Sequence, residues 1–369
     1  MPTHSTDSAM PLPTTTAMPP ILWAQPAREA AFHQWLSIVA PAHSLRADTL
    51  RSASSDASFR RYFRIDGQAN SGSAATFIIM DAPPPLEDVR PFVTLAQRIT
   101  DSGLNAPQVL AQDFEQGFLL LTDLGSQLYL QALQEAQAQS QPQRSAELMH
   151  DAIQALVHWQ AHLPVQGLPA YDDALLRREL SLFPEWCVGH EYARQWTADE
   201  QAIWDKVCDA LVASALAQPT VVVHRDYMPR NLMLASPNPG ILDFQDAVVG
   251  PISYDVASLI RDAFFSWEED QELDLAVRYW QAARAAKLPV DPDFGEFWRQ
   301  VEWMGLQRHL KVLGIFCRLK HRDGKPKYSE DLPRFFNYAH KVASRYGALR
   351  PLCLLLEPLM GEEREEAFY

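Results

Sequence analysis

Apolar residues at Phe32, Trp35 and Leu36 recur on one side of a 3.6-residue period, which predicts a helix from about Arg28. Ahead of it, positions 1–26 hold six prolines, many Thr and Ser and a single charged residue. Such a segment buries too little apolar surface to offset its ordering entropy and is expected to be a disordered tail. From 45 to 81 the period drops to two. Positions 60–65 alternate and 75–80 form a short, partly β-branched run, and the polar stretch 66–73 between them carries Gly67 and Gly72 and reads as a hairpin turn. The helical period returns over 89–99, with Phe92, Leu95, Ala96 and Ile99 on one side and Gly103 past its end. Two further strands are expected at 107–110 and 117–121.

Beyond Gly125 the pattern is helical over 126–162, 174–217, 254–287 and 294–345. One non-helical stretch, 220–251, interrupts it with apolar runs at 221–223 and 240–242. A sheet-rich part followed by a helical part argues for an α+β protein with two lobes. The expected divisions are a tail over 1–26, a small β-rich N-terminal lobe over 27–124, a large mostly helical C-terminal lobe over 125–361 and an acidic tail over 362–369.

Composition narrows the class. The 369 residues are 47% hydrophobic and 21% charged, which excludes disorder throughout. A net charge of −14 opposes binding to nucleic acid or anionic membranes. The apolar runs have strand length, short of the roughly 18 residues of a membrane span. Cys187, Cys208, Cys317 and Cys353 are scattered with no C-x-x-C pair, as expected of reduced thiols. Without a basic, then apolar, N-terminal signal, the cytoplasm is the expected location.

Chemistry concentrates between the apolar runs of 220–251. The sequence His224-Arg-Asp226 is followed by Asn231 five positions after Asp226, and by Asp243 seventeen after it at the end of the next apolar run. Short strands fix the backbone while the loop presents the side chains. An Asp that accepts a hydroxyl proton, with an Asn and an Asp to hold Mg²⁺ on a polyphosphate, is the set that phosphoryl transfer requires.

His-Arg-Asp-x-x-x-x-Asn followed by Asp-Phe resembles the catalytic and metal-binding pair of the protein-kinase-like fold, and in detail the aminoglycoside phosphotransferase and choline kinase branch. The resemblance implies a bilobal protein-kinase-like fold and ATP with Mg²⁺. It makes Asp226 the catalytic base, Asn231 and Asp243 the metal ligands, and 121–124, with Leu121 and Asp123, the hinge that meets adenine. His224 and Asp255 would brace the catalytic loop. Only twelve positions separate Asp243 from Asp255, and no Ala-Pro-Glu follows. An activation loop does not fit there, so a small-molecule kinase is favoured and Arg225 is expected to be structural.

One departure stands out. The fold places a Lys on its third strand for the phosphates and a Glu on the next helix to hold it. This chain has no lysine before Lys206, and 89–100 contains no Glu. Arg60, Arg61 or Arg64 is the nearest supply of cation, although such arginines can equally be a solvated strand face. The loop 53–59 stands where a Gly-rich loop would be and has no glycine; Ser55 and Ser58 can cover the phosphates instead.

The segments 55–64, 80–84, 243–247 and 306–316 are similar, more specifically, to the bacterial anomeric kinases of N-acetylmuramate and N-acetylglucosamine in cell-wall recycling. That resemblance covers about 28 to 350 and implies a small-molecule amino sugar as acceptor and a sugar 1-phosphate as product. A lactyl carboxylate calls for a cation, and Arg308, His309, Lys311 and Arg318 are the candidates on one predicted helix. The same residues can simply solvate a surface. Trp267, Trp280, Trp298 and Trp303 can stack on a sugar, though aromatics at helical spacing more often build a core. Two other functions stay open: a kinase of an aminoglycoside or homoserine, and a non-catalytic nucleotide-binding protein.

Overall fold

The computed structural model describes residues 21–55, 59–69, 72–84, 86–262 and 264–360. It divides into two compact units. One comprises the described residues up to Arg90 together with Val109–Asp123; the other comprises Pro91–Gln108 and the described residues from Leu124 onward.

The first unit is a helix on a sheet. Helix α1 (Pro26–Ala42) precedes strands β1 (Leu45–Ser55), β2 (Arg61–Gln68) and β3 (Ala74–Asp81). After helix α2 (Arg90–Asp101), which belongs almost wholly to the second unit, β4 (Val109–Asp113) and β5 (Phe118–Thr122) complete the sheet. All pairings are antiparallel, in the order β1-β2-β3-β5-β4. The alternation seen in the sequence is the face assignment. Phe63 and Ile65 of β2 face Ile79 and Phe77 of β3, and these pack with Phe118 and Leu120 of β5 against Phe32, Trp35 and Leu36 of α1.

The tail expected over 1–26 needs correction at its end. Ile21 and Trp23 pack against that same core, with Trp23 5.0 Å from Phe32 and 5.7 Å from Phe63 between ring centroids. Two large apolar side chains offset the ordering of a few residues. The rest of that tail, 1–20, and the acidic tail 362–369 lie outside the described residues.

The second unit is mostly helical. It runs through α3 (Tyr129–Ala138), α4 (Pro142–His162), α5 (Asp173–Leu180), a π-helical stretch (Phe183–Glu191) and α6 (Ala198–Leu216). Four short strands follow, β6 (Thr220–Val223), β7 (Leu232–Met233), β8 (Gly240–Ile241) and β9 (Val248–Pro251), then α7 (Tyr254–Ile260), α8 (Glu269–Ala285), α9 (Phe294–His321), α10 (Leu332–Arg345) and α11 (Cys353–Leu356). Strand β6 pairs with β9 and β7 with β8. Helix α9 runs through the middle of this unit and is buried along most of its length. Where it passes the π-helical stretch, a Cβ on Gly314 would stand 2.4 Å from the Leu182 carbonyl, so only glycine permits that approach. Among the described residues no helix is long and apolar enough to cross a membrane.

Candidate active site

Two small antiparallel strand pairs frame the loop over 224–231. Strand β6 delivers His224, Arg225 and Asp226; a single 3₁₀ turn over Pro229–Asn231 brings the chain back, and β8 ends just before Asp243. The Asn231 side-chain amide donates to the Asp226 carbonyl at 2.9 Å and reaches Asp243 Oδ2 at 3.5 Å. Leu242 N–H donates to the Asn231 carbonyl at 2.9 Å, which ties the two halves together. The structure thus brings together Asp226, Asn231 and Asp243. Asp226 is 40% exposed at its side chain, open to a substrate.

The supports are buried. Asp255, at the start of α7, accepts the backbone N–H of His224 at 2.7 Å and of Arg225 at 3.0 Å. Burial pushes its pKa up to about 7, against the opposing pull of those two donors. His224 Nδ1 accepts the Asp226 N–H at 3.3 Å, so Nε2 carries the proton and donates to the Leu242 carbonyl at 3.0 Å. Burial keeps that ring neutral, with its pKa down to about 4. Tyr227 anchors the loop to α4 by donating to the Ala152 carbonyl at 2.8 Å.

Arg225 and Asp243 both adopt left-handed backbone, with φ of 76° and 61°. Non-glycine residues hold such a conformation only when the surroundings determine it. For Arg225 the determinant is Glu179 on α5, whose Oε1 accepts from Arg225 Nη2 at 2.5 Å and meets Lys311 Nζ at 3.0 Å. Tyr171 donates to the other carboxylate oxygen, and Gln307 donates to Tyr171 Oη at 3.1 Å. Burial alone would raise the Glu179 pKa, but the Lys311 and Arg225 charges and the Tyr171 hydroxyl hold it down to about 2. Glu179 is absent from the motif reading. Its signal was a carboxylate three positions after Leu176, on the buried face of a short helix.

The four basic candidates of α9 separate. Arg308, 4% exposed at its side chain, puts Nη2 3.9 Å from Asp226 Oδ1. Lys311 is held by Glu179 and lies 3.2 Å from the Tyr254 hydroxyl. His309 is fully buried, stacked on Tyr338 and bonded to the Arg261 carbonyl at 3.3 Å, a core histidine rather than a sugar ligand. Arg318 stands ten residues beyond Arg308, roughly 15 Å along the helix, too far to share a site with it. The tryptophans are structural in the same sense: Trp280 packs on Phe294, Trp303 on Tyr346 and Trp298 under Arg261. Trp267 lines a hollow of about 450 Å³ between the α3–α4 turn and α8 that contains none of Asp226, Asn231 and Asp243.

In the first unit the three candidate arginines all carry carboxylate partners. Arg60 meets Glu87 at 2.9 Å, Arg61 meets Asp81 at 2.6 Å and Arg64 meets Asp123 at 2.6 Å. Arg61 lies opposite Asp81 in the β2–β3 ladder, on the face covered by α1, where Arg28 of α1 completes the cluster at 2.5 Å. Arg64 faces the other way, sharing a face with Ile78 and its partner Leu121. The Ser55 backbone ends β1, and Ser58 lies outside the described residues.

The donor set fits Mg²⁺. Asn231 is committed through its nitrogen, which leaves its carbonyl oxygen as a hard donor beside the Asp243 carboxylate. Gln245 Nε2 donates to Asp243 Oδ1 at 2.8 Å, and among the described residues its own buried oxygen has no hydrogen-bond partner.

Comparison with known proteins places the chain in a family. Residues 49–296 match the model of the phosphotransferase enzyme family. A Pseudomonas putida protein named N-acetylmuramate/N-acetylglucosamine kinase is 50% identical over 319 residues, covering 86% of this chain and 90% of its own. A protein of the same name from Neisseria meningitidis is 46% identical over 339 residues, covering 92% and 98%. Among solved structures, a choline/ethanolamine kinase family protein from Mesorhizobium loti aligns with a TM-score of 0.57 at 13% identity, over 90% of this chain and 98% of that one. An ADP-bound aminoglycoside phosphotransferase, APH(2'')-Ib, aligns at 0.53 with 12% identity, over 84% and 98%. These last two show the protein-kinase-like fold.

Proposed function

The chain belongs to the phosphotransferase enzyme family, and from that premise we propose that it transfers the γ-phosphoryl group of ATP to the anomeric hydroxyl of N-acetylmuramate and N-acetylglucosamine. The product is the sugar 1-phosphate. The observation that carries the proposal is the convergence of Asp226, Asn231 and Asp243 in a chain about half identical to kinases named for those sugars. A cytoplasmic setting, where ATP is available, belongs to the same reading.

Asp226 binds the C1 hydroxyl, orients one oxygen lone pair toward phosphorus and accepts the proton as the O–P bond forms. Asn231 and Asp243 would hold Mg²⁺, which when bound neutralises and aligns the polyphosphate. Asp255 and His224 keep the loop from drifting, and a loop fixed before substrate arrives contributes orientation rather than new bonds. On the nucleotide side we place Leu121 and Arg64, which lie on the face of the first unit's sheet opposite α1.

A polycationic aminoglycoside fits less well, because α9 presents Arg308 to Asp226. The test is an ATP-turnover assay with Mg²⁺ against N-acetylmuramate, N-acetylglucosamine, glucosamine and kanamycin, with phosphorus NMR of the product. Sugar 1-phosphates from the two N-acetylated sugars are expected. Turnover of kanamycin alone would refute the acceptor, and ATP binding without any turnover would favour a nucleotide sensor.

A further inference from the structure

We propose that Arg308 is a catalytic residue of the phosphoryl step, holding the charge of the transferring group, and not a reader of the sugar's carboxylate. The proposal rests on the kinase reading above and specifies one side chain within it.

Arg308 is 3% exposed, and its hydrogen bonding is poor for a buried cation. Among the described residues Nη1 is buried with no hydrogen-bond partner, and Nη2 has the Met228 sulfur at 3.8 Å, a weak acceptor. The Asp226 carboxylate at 3.9 Å is beyond hydrogen-bond contact. Burying a guanidinium in this state is unfavourable unless an anion completes it. The other cations of this cluster cannot serve, since Arg225 and Lys311 are both bound to Glu179.

Position decides which anion. A hydroxyl bonded to Asp226 lies about 2.7 Å from its carboxylate, and phosphorus approaches that hydroxyl to roughly 3–3.5 Å. The guanidinium therefore stands beside the reacting oxygen. The two sugars are identical at C1 and differ at O3, where only N-acetylmuramate has its lactyl carboxylate. An arginine at the reacting centre treats them alike; an arginine on the lactyl group does not. In the step itself the O1–P bond forms and the bond from phosphorus to the β-phosphate oxygen breaks. The electron pair leaves with ADP and the proton of the C1 hydroxyl passes to Asp226. Arg308 exchanges no proton and donates N–H bonds to the phosphoryl oxygens.

The experiment uses the full chain with Arg308→Met and Arg308→Lys. It measures turnover of both sugars, the slow hydrolysis of ATP without sugar, and calorimetric binding of each sugar and of ADP with Mg²⁺ and aluminium fluoride, a planar phosphoryl mimic. In Arg308→Met, kcat on both sugars should fall by the same factor, on the order of 10³, with part regained in Arg308→Lys. Sugar Kd should hold while the aluminium fluoride complex weakens. A loss confined to KM and Kd for N-acetylmuramate would overturn the proposal, as would unchanged turnover. If the parent enzyme turns over neither sugar, the acceptor reading fails, and ATP hydrolysis with aluminium fluoride binding still decides Arg308. Should Arg308→Met not fold, Arg308→Lys carries the same comparison.

Discussion

Arg61 and Asp81 stand opposite one another across β2 and β3, joined at 2.6 Å on the face of the sheet that α1 covers. Arg64, three positions on, points to the other face. Arg61→Ala should therefore lower stability, by about 1–3 kcal/mol since Arg28 still holds the buried Asp81, and leave the KM for ATP unchanged. Arg64→Ala should raise that KM roughly tenfold, about the value of one phosphate contact. Thermal melts and ATP titrations of the two variants, run side by side, separate them; equal effects on KM would refute the division of faces.

Replacing Asp226 by Asn keeps the side chain's shape at a position 40% exposed and removes the proton acceptor, along with the charge 3.9 Å from Arg308. Turnover should drop by 10²–10⁴, the usual worth of a general base, with the melting temperature within about a degree of the parent. A variant that keeps a tenth of its activity would exclude Asp226 as the base.

Asn231→Ala and Asp243→Asn each remove one hard oxygen donor. Activity should vanish in excess chelator and return with Mg²⁺, and each variant should need at least about tenfold more Mg²⁺ for half its maximal rate. A Mg²⁺ titration identical to the parent's would remove that residue from the metal site.

Glu179→Gln keeps the shape of the Arg225 brace and deletes its charge, leaving Arg225 and Lys311 close together and under-compensated. Stability should fall by about 3–5 kcal/mol, as when one partner of a buried ion cluster is removed, and kcat should fall more than either KM rises. Urea unfolding and steady-state kinetics check both halves, and a variant with parental kcat would show that Arg225 needs no brace.

His224 and Asp255 oppose each other in acid. A histidine whose folded pKa is down at about 4 stabilises fully above its unfolded value of 6.5, and that contribution is lost as pH falls toward 4. A carboxyl whose folded pKa is up at about 7 gains stability as pH falls from 7 toward 3.8. Between pH 6.5 and 4.5 the two nearly cancel. Asp255→Asn removes the second, so its stability should fall more steeply with acid than the parent's, by about 1.4 kcal/mol per pH unit. Urea midpoints at pH 7, 6 and 5 give the slopes; parallel slopes would deny the coupling.

The parts of the molecule that were legible in the sequence are those fixed by neighbours in the chain. The β2–β3 hairpin followed from a period of two broken by glycines, and the catalytic loop from polar residues crowded between short apolar runs. What stayed hidden depends on contacts across the chain. Glu179 meets Arg225 and Lys311 from 46 and 132 positions away, which no local period records. The burial of His309 is equally hidden, because helix patterning assumes one wet face, and α9, enclosed by α6, α7, α8, α10 and the π-helical stretch, has almost none.

The Glu179 carboxylate has a consequence for control. In kinases governed by an activation loop, the arginine before the catalytic aspartate is steadied by a phosphate added after synthesis and removable by a phosphatase. Here the steadying charge is written into the gene on α5 and cannot be withdrawn. In such a loop the arginine is steadied by folding itself, with no added phosphate required.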